Sequence, residues 1–343
     1  MSPSLSVLIT AYGPAPFLAE ALRSVRDQVD LSPTDDIVLL TDRPRDLEAL
    51  GWPPKAPLPP LRLVKLDEPQ KGKFFAAGFQ ACRGEVVATL NDDDIWEPQK
   101  IQVVRRAFEG NSSAAYHHHG VSFFGLGPVR PPGRHRHARR RDGDQRTLVR
   151  GSRGWERSLG RYDLGFNDSS ISLRRDLVLS HLPWFERIDA GEDTFLLFCA
   201  LTSAKELLLD PRSLTRYRVH ASNSSVSGNR DAPAAADRLH REFERRLKLY
   251  QVLESMVGSC APEREEVRAW AQRGVRLSEA VLAVTGSSSS RRTLMKAAAG
   301  LLDDWDEFDP PVNLAVSALA SLGVASRPLA TRVLFQLGIR TDI

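Results

Sequence analysis

The chain has 343 residues, of which 42% are hydrophobic and 26% charged, and its formal net charge is +4, ordinary proportions for a globular protein longer than one typical domain. No run of about 18 apolar residues offers a membrane span, and Met1-Ser2-Pro3 leads into an apolar run with no charged leader, so a cytoplasmic chain without signal peptide is expected. Three scattered cysteines, Cys82, Cys199 and Cys260, exclude a disulfide frame and read as reduced core thiols.

In chain order, residues 5–9 are an apolar run, and residues 15–28 carry Phe17, Leu18, Ala21, Leu22 and Val25 at helical spacing. A second strand over 37–40 ends in Thr41-Asp42. A third, 61–66, follows a proline-rich loop, and a helix over 73–82 comes next. Residues 85–90 read as a buried strand, followed by a helix over 98–108. Repeated strand–helix units predict an α/β fold with a mainly parallel central sheet and flanking helices. No GxGxxG turn follows the first strand and no GxxxxGK[ST] occurs, which disfavours a dinucleotide fold or a P-loop enzyme.

Directly after the strand 85–90 comes Asn91-Asp92-Asp93-Asp94. Three adjacent carboxylates repel one another unless a cation or hydrogen-bond donors neutralise them. Oxygen ligands suit Mg²⁺ or Mn²⁺, and ligands of open α/β sheets sit beyond the carboxyl ends of the strands. The plainer alternative is an Asp-rich turn capping the helix that begins near Pro98.

These residues carry a resemblance. Thr10-Ala11-Tyr12-Gly13, the helix from Phe17 to Gln28, Gly72-Lys73 through Gly78, and Asn91 through Lys100 resemble inverting family 2 glycosyltransferases of the GT-A fold. Ser169 through Arg175, Gly191-Glu192-Asp193, and Tyr217-Arg218-Val219-His220 with Asn223 and Ser225 continue the likeness, which spans roughly residues 4–226. Two departures stand out: Gly13 replaces the usual Asn, so a local turn contact is expected to be lost, and Asn91 replaces a first Asp.

The resemblance implies a donor site of Thr10, Ala11, Tyr12, Asn91 and Asp92, with Asp92 on the ribose. It implies that Asp93 holds the Mn²⁺ or Mg²⁺ that bridges the donor diphosphate, that Asp42 reads a uracil edge, and that Ser169, Ser170 and Trp184 face the acceptor. Asp42 reads equally as a turn initiator. Asp94 is left to cap the next helix. A departing nucleoside diphosphate needs cationic help; Lys73 and Arg218 are candidates, and His220 is a candidate metal ligand or a structural histidine.

Inverting transfer needs a base to take the acceptor's proton. Asp193 is the candidate and Glu192 its backup, at the head of the apolar helix from Phe195; acidic residues there are also ordinary dipole partners. Residues 134–153 hold eight arginines and two aspartates. They read as a mobile basic insertion, either simply solvated or a landing site for an acidic acceptor. Nucleic acid is not expected. His117 and His119 share a face of a strand and read as structural.

After Gly228 only helices are expected, with Leu239, Phe243, Leu247, Tyr250 and Leu253, then Val267, Trp270, Leu277 and Val281, at three-to-four spacing. The expected organisation is a catalytic domain over 1–226 and a helical domain over 227–343. The first comprises a donor half to about 112, the basic insertion from about 130 to 155, and an acceptor half over 156–226. The helical region is open to homodimer contacts, and its last basic segment to peripheral membrane contact. The function this implies is transfer of a sugar, from a UDP-sugar by preference, to a small-molecule, lipid-linked or carrier-bound acceptor. Competing readings are a non-catalytic nucleotide-sugar-binding module and a nucleotidyltransferase-like α/β enzyme.

Overall fold

The computed structural model describes residues 2–43, 49–50, 59–125, 146–148, 164–203, 205–220 and 232–285. They fall into two compact units, one within residues 1–125, 137–188 and 192–218, the other formed by 189–191 and the chain from 219 onward.

In the first unit, β1 (Leu5–Ala11), β2 (Asp36–Thr41), β3 (Leu61–Lys65) and β4 (Val86–Asn91) lie in the order β3-β2-β1-β4 and pair in parallel. All seven residues of β1 are buried. Its continuous apolar run, without alternation, suits a strand covered on both faces. Helices α1 (Leu18–Arg26), α2 (Lys71–Ala81) and α3 (Lys100–Phe108) alternate with these strands. Helix α1 buries Leu18, Ala21, Leu22 and Val25, the stripe its spacing predicts, against Val7, Ile9, Trp96, Ile101 and Val104. A large aliphatic side chain buried there contributes about 2 kcal/mol.

The rest of the sheet is antiparallel. β5 (Ile95–Trp96), β6 (Ala114–Gly125), β7 (Arg146–Leu148), β8 (Ile171–Arg174) and β9 (Glu206–Val219) extend the order as β4-β8-β6-β9-β5, with β7 on β9. β8 runs antiparallel to β4 and β6, and β5 and β7 antiparallel to β9. Short helices α4 (Arg175–Leu179) and α5 (Leu182–Phe185) follow β8, and α6 (Glu192–Thr202) precedes β9. Helix α6 is buried nearly all round, from Thr194 to Leu201, as a core helix must be.

Two expectations need correcting. Within the basic segment 134–153, Arg146–Leu148 is not loop but strand, opposite Leu207–Leu209. Backbone pairing with a distant strand leaves no mark on a run of arginines; the remaining residues of that segment lie outside the described ones. Among the cysteines, Cys82 and Cys199 are buried but Cys260 is exposed, at the end of a helix whose stripe has turned away from it. Burial pushes the Cys82 thiol up to about 12, so it stays un-ionised.

The second unit contains α7 (Ala232–Cys260) and α8 (Glu265–Thr285). Leu239, Phe243, Leu253 and Met256 of α7, and Val267, Ala271 and Val281 of α8, are buried. Leu249 is buried where the sequence pattern pointed to Leu247, which is half-buried. Gln272 donates to Glu254 Oε1 at 2.8 Å, tying the helices together. Among the described residues no helix is long and apolar enough to cross a membrane.

Candidate functional site

The acidic run lies where β4 leaves the sheet beside β1. Thr10 faces Asn91 across the parallel pair, and its Oγ1 donates to Asn91 Oδ1 at 3.1 Å. The Asp92 amide then donates to the Thr10 carbonyl at 3.1 Å. A neutral amide at position 91 keeps the acceptor that Thr10 needs and spares the turn a fourth carboxylate.

Asp94 is fully buried and does not cap a helix. Its Oδ2 accepts from Ser169 Oγ at 2.6 Å and its Oδ1 from the Arg218 amide at 2.9 Å. The cap position of α3 is Gln99, which makes no side-chain cap bond. β5 intervenes between Asp94 and α3, so the helix begins too late for Asp94 to reach it. Burial, then the neighbouring Asp93, push its carboxyl well above the usual carboxylate range. Asp92 and Asp93 remain half-buried.

Arg218 is also tied down. Its Nε donates to the Asp93 carbonyl at 2.9 Å and its Nη2 to Glu20 Oε2 at 2.9 Å, and its guanidinium lies over the rings of Phe17 and Phe124 at 4.1 and 4.5 Å. It therefore holds the acidic turn by backbone and side chain together. Lys73 is exposed on α2.

Beside the turn, Gly13 takes φ +71°, and its amide donates to Asp42 Oδ1 at 3.0 Å. Asp42 thus holds the turn through the backbone, and glycine suits the left-handed conformation. Arg43 lies 3.5 Å from Asp42 Oδ2. Ala11 is fully buried, while Tyr12 is 51% exposed and stands edge-on to Phe74 with centroids 5.6 Å apart.

A second acidic cluster gathers at the head of α6. Asp193 is half-buried; its Oδ1 accepts from the Thr194 amide at 2.7 Å and its Oδ2 from the Asn167 amide at 3.2 Å. Glu192 is 8% exposed, and its Oε1 meets Lys71 Nζ at 3.0 Å. Asp168, 5% exposed, is the third member. Glu192 Oε2 and Asp168 Oδ1 are buried without a hydrogen-bond partner among the described residues. Burial, then Glu192, push the Asp193 carboxyl up to about 7, against the Thr194 and Asn167 amides and Lys71, which pull it down. Burial, then Asp193 and Glu192, raise Asp168 as well. Sequence reasoning missed Asp168 and Lys71; Asp168 adjoins the Ser169-Ser170 motif, but no local pattern joins residues 71, 168 and 192.

Ser169 and Ser170, expected on the acceptor side, are both fully buried. Ser169 bridges Asp94 and the Asn91 amide, and its carbonyl accepts from Trp96 Nε1 and Thr215 Oγ1. Ser170 Oγ lies 2.9 Å from His118 Nε2. A short turn that leads into a central strand has to satisfy its own hydroxyls internally. Trp184, half-buried on α5, carries the Arg187 guanidinium over its ring at 4.8 Å.

His117 and His119 do share a face, with ring centroids 6.1 Å apart, both buried, His117 being 3.8 Å from Asp210 and His119 against the buried Lys100 ammonium. Burial depresses both imidazoles and Lys100, the state of a structural core network. His220 is half-buried just past β9.

Among the described residues no group of three or more His, Cys, Asp or Glu is arranged to hold a metal ion. The half-buried Asp92 and Asp93 offer oxygen ligands of the kind that bind Mg²⁺ or Mn²⁺ through one or two carboxylates, with substrate phosphates completing the shell.

Residues 6–160 match the family model of glycosyl transferase family 2. An uncharacterized glycosyltransferase of Nostoc sp. (strain PCC 7120) is 34% identical over 119 residues, 34% of this chain and 36% of the relative, so the match spans about a third of that protein. Staphylococcal (S. aureus) TarS 1-349 in complex with UDP-GlcNAc superposes with TM-score 0.51 at 12% identity, over 97% of this chain and 92% of that one. The mannosyltransferase PcManGT from Pyrobaculum calidifontis, in complex with GDP-Man and Mn²⁺, gives TM-score 0.55 at 13% identity, over 99% and 88%. At such identities the likeness is one of fold.

Proposed function

We propose that this chain, whose residues 6–160 match the glycosyl transferase family 2 model, is a member of that family with the GT-A fold and moves a sugar from a nucleotide-sugar donor to an acceptor with inversion and a divalent cation. Asp193 is the base. What supports it above all is a carboxyl pushed up to about 7, near the pH at which it must accept a proton, since a general base works best poised close to the operating pH. Both its oxygens are aimed by backbone amides, which leaves lone pairs for an acceptor hydroxyl.

Asp93, with Asp92 beside it, would hold the cation, and His220 is proposed as a further ligand or phosphate donor. The cation would offset charge building on the departing nucleoside diphosphate. This chain's own contribution there is rigidity: Ser169, from the turn before β8, and Arg218, from β9, pin the turn through Asp94 and the Asp93 carbonyl. UDP is proposed as the nucleotide, on the resemblance at Asp42. Tyr12, with Thr10 and Ala11 at the end of β1, is proposed to border the nucleoside. Lys73, on the exposed side of α2, is proposed as a cation for the donor phosphates.

Calorimetric titration of UDP-GlcNAc and of GDP-mannose, each with Mn²⁺, tests the donor side. Binding of one of them that needs Mn²⁺ and disappears in Asp93→Ala is expected. Unchanged affinity in that variant would overturn the metal assignment. Release of pyrophosphate in place of nucleoside diphosphate would point to a nucleotidyltransferase.

A further inference from the structure

The carboxylates at the head of α6 pose a problem that burial makes acute. Asp168, Glu192 and Asp193 crowd one place, two of them more than nine-tenths buried with an oxygen left unpartnered among the described residues. Like charges so placed cannot all ionise without a cation. The groups that act on Asp193 are Glu192 on its own helix, Lys71 at the start of α2 and Asp168 in the turn before β8, with the Tyr116 hydroxyl of β6 beside the cluster. Lys71 is the one cation among them, 3.0 Å from Glu192, and Glu192 is the main reason its ammonium is held charged beyond the usual range.

The fold takes trouble to put Lys71 there. The next residue, Gly72, donates its amide to the Ile188 carbonyl at 3.2 Å, and Gln70 Nε2 donates to the Glu186 carbonyl at 2.8 Å. A side chain on Gly72 would come within 2.0 Å of the Phe185 carbonyl. The first turn of α2 is thus clasped to residues 185–188, and the clasp fixes the stem of Lys71 on the same side as α6.

We propose that Lys71 is a positioning residue for the base: its ammonium, paired with Glu192 at 3.0 Å, offsets the negative charge beside Asp193, so that Asp193 gives up its proton more readily. This deepens, and rests on, the reading of Asp193 as the base. Lys71 itself touches no reacting atom. Removing its charge takes away an attraction for the ionised form of Asp193, so Asp193 should hold its proton to higher pH. Removing the charge of Glu192 takes away a repulsion, so Asp193 should lose its proton at lower pH. A merely structural ion pair predicts no such opposed pair of effects.

The test is titration of selectively ¹³C-labelled aspartate carboxyls by NMR in the full chain without ligand, with the Asp193 signal identified by its loss in Asp193→Asn. In Lys71→Met the Asp193 midpoint is expected to move up by roughly one pH unit, the low end of what a nearby opposite charge does to an Asp. Lys71→Arg should restore it, and Glu192→Gln should move it down. Because Lys71 is about half exposed, its two variants should fold. An unmoved midpoint in Lys71→Met, or movement in the same direction in Lys71→Met and Glu192→Gln, overturns the inference. The base reading fails separately, if Asp193→Asn releases nucleoside diphosphate from UDP-GlcNAc or GDP-mannose with Mn²⁺ as the unchanged protein does.

Discussion

Among the described residues, two groups of three carboxylates are assembled in opposite ways. Asp92, Asp93 and Asp94 are consecutive, yet the fold separates their fates: Asp94 is fully buried with both oxygens satisfied, while Asp92 and Asp93 stay half-buried at the end of β4. Asp168, Glu192 and Asp193 come from two stretches more than twenty residues apart, yet the fold gathers them around Lys71 and leaves two of their oxygens without partners among the described residues. In the first group, the Ser169 hydroxyl and the Arg218 amide hold Asp94 against burial and the neighbouring Asp93. In the second, tertiary packing creates a repulsion that sequence does not suggest. A fully satisfied carboxylate is a fastener; a buried and under-satisfied one is left free to do chemistry.

The sharpest way to break this contrast is at the fastener. Asp94→Ala leaves the buried Ser169 hydroxyl and the half-buried Arg218 amide without the acceptor they share, at about 1–3 kcal/mol each, so a loss of about 3 kcal/mol is expected in denaturant unfolding. A loss near 1 kcal/mol, the cost of a helix cap, would show that Asp94 is no fastener.

Next comes the reactive group. Asp193→Asn should lower transfer by ~10²-fold, about 2.7 kcal/mol of barrier, with donor affinity nearly unchanged, as steady-state kinetics and calorimetry would report. A variant that turned over normally would put the chemistry elsewhere.

A third experiment reads the strain itself. With its carboxyl pushed up to about 7, the folded state keeps a proton that the unfolded chain, titrating near 4, gives up. The stabilisation from this group is therefore fully present below about pH 4 and is lost as pH rises to about 7. Unfolding free energies of the unchanged protein, relative to Asp193→Asn, should fall across that window by up to about 1.4 kcal/mol per pH unit and level off above it. A rise with pH would mean that the cluster is not strained.

The smallest expected effect lies at the turn beside the acidic run. At Gly13, with φ +71° and nothing within 4 Å of an added Cβ, Ala should cost about 1 kcal/mol through backbone strain alone, and Asn less because it tolerates that conformation. Equal costs in thermal unfolding would show that side-chain contact, not backbone conformation, governs the position.

How far each feature could be foreseen follows the range of the forces behind it. The parallel half of the sheet, α1 with its stripe, the all-round apolar α6 and the two long helices α7 and α8 were legible, because period and apolar continuity are local properties of the chain. So was the place of Asn91 to Asp94 at a strand end, and the place of Glu192 and Asp193 in a first helical turn. What each aspartate does there was not legible. Asp94 looked like a cap until β5 came between it and α3, and nothing local showed that Ser169 would bridge Asp94 and the Asn91 amide. The partnership of Lys71 with Glu192 joins residues 121 positions apart, and β7 owes its existence to pairing with β9. Sequence by itself settled the parallel strands and the longer helices, since hydrophobic period acts within a few residues; only the tertiary structure decided the strands that depend on distant pairing and which carboxylates are neutralised, since pairing, burial and Coulomb energy depend on distance in space.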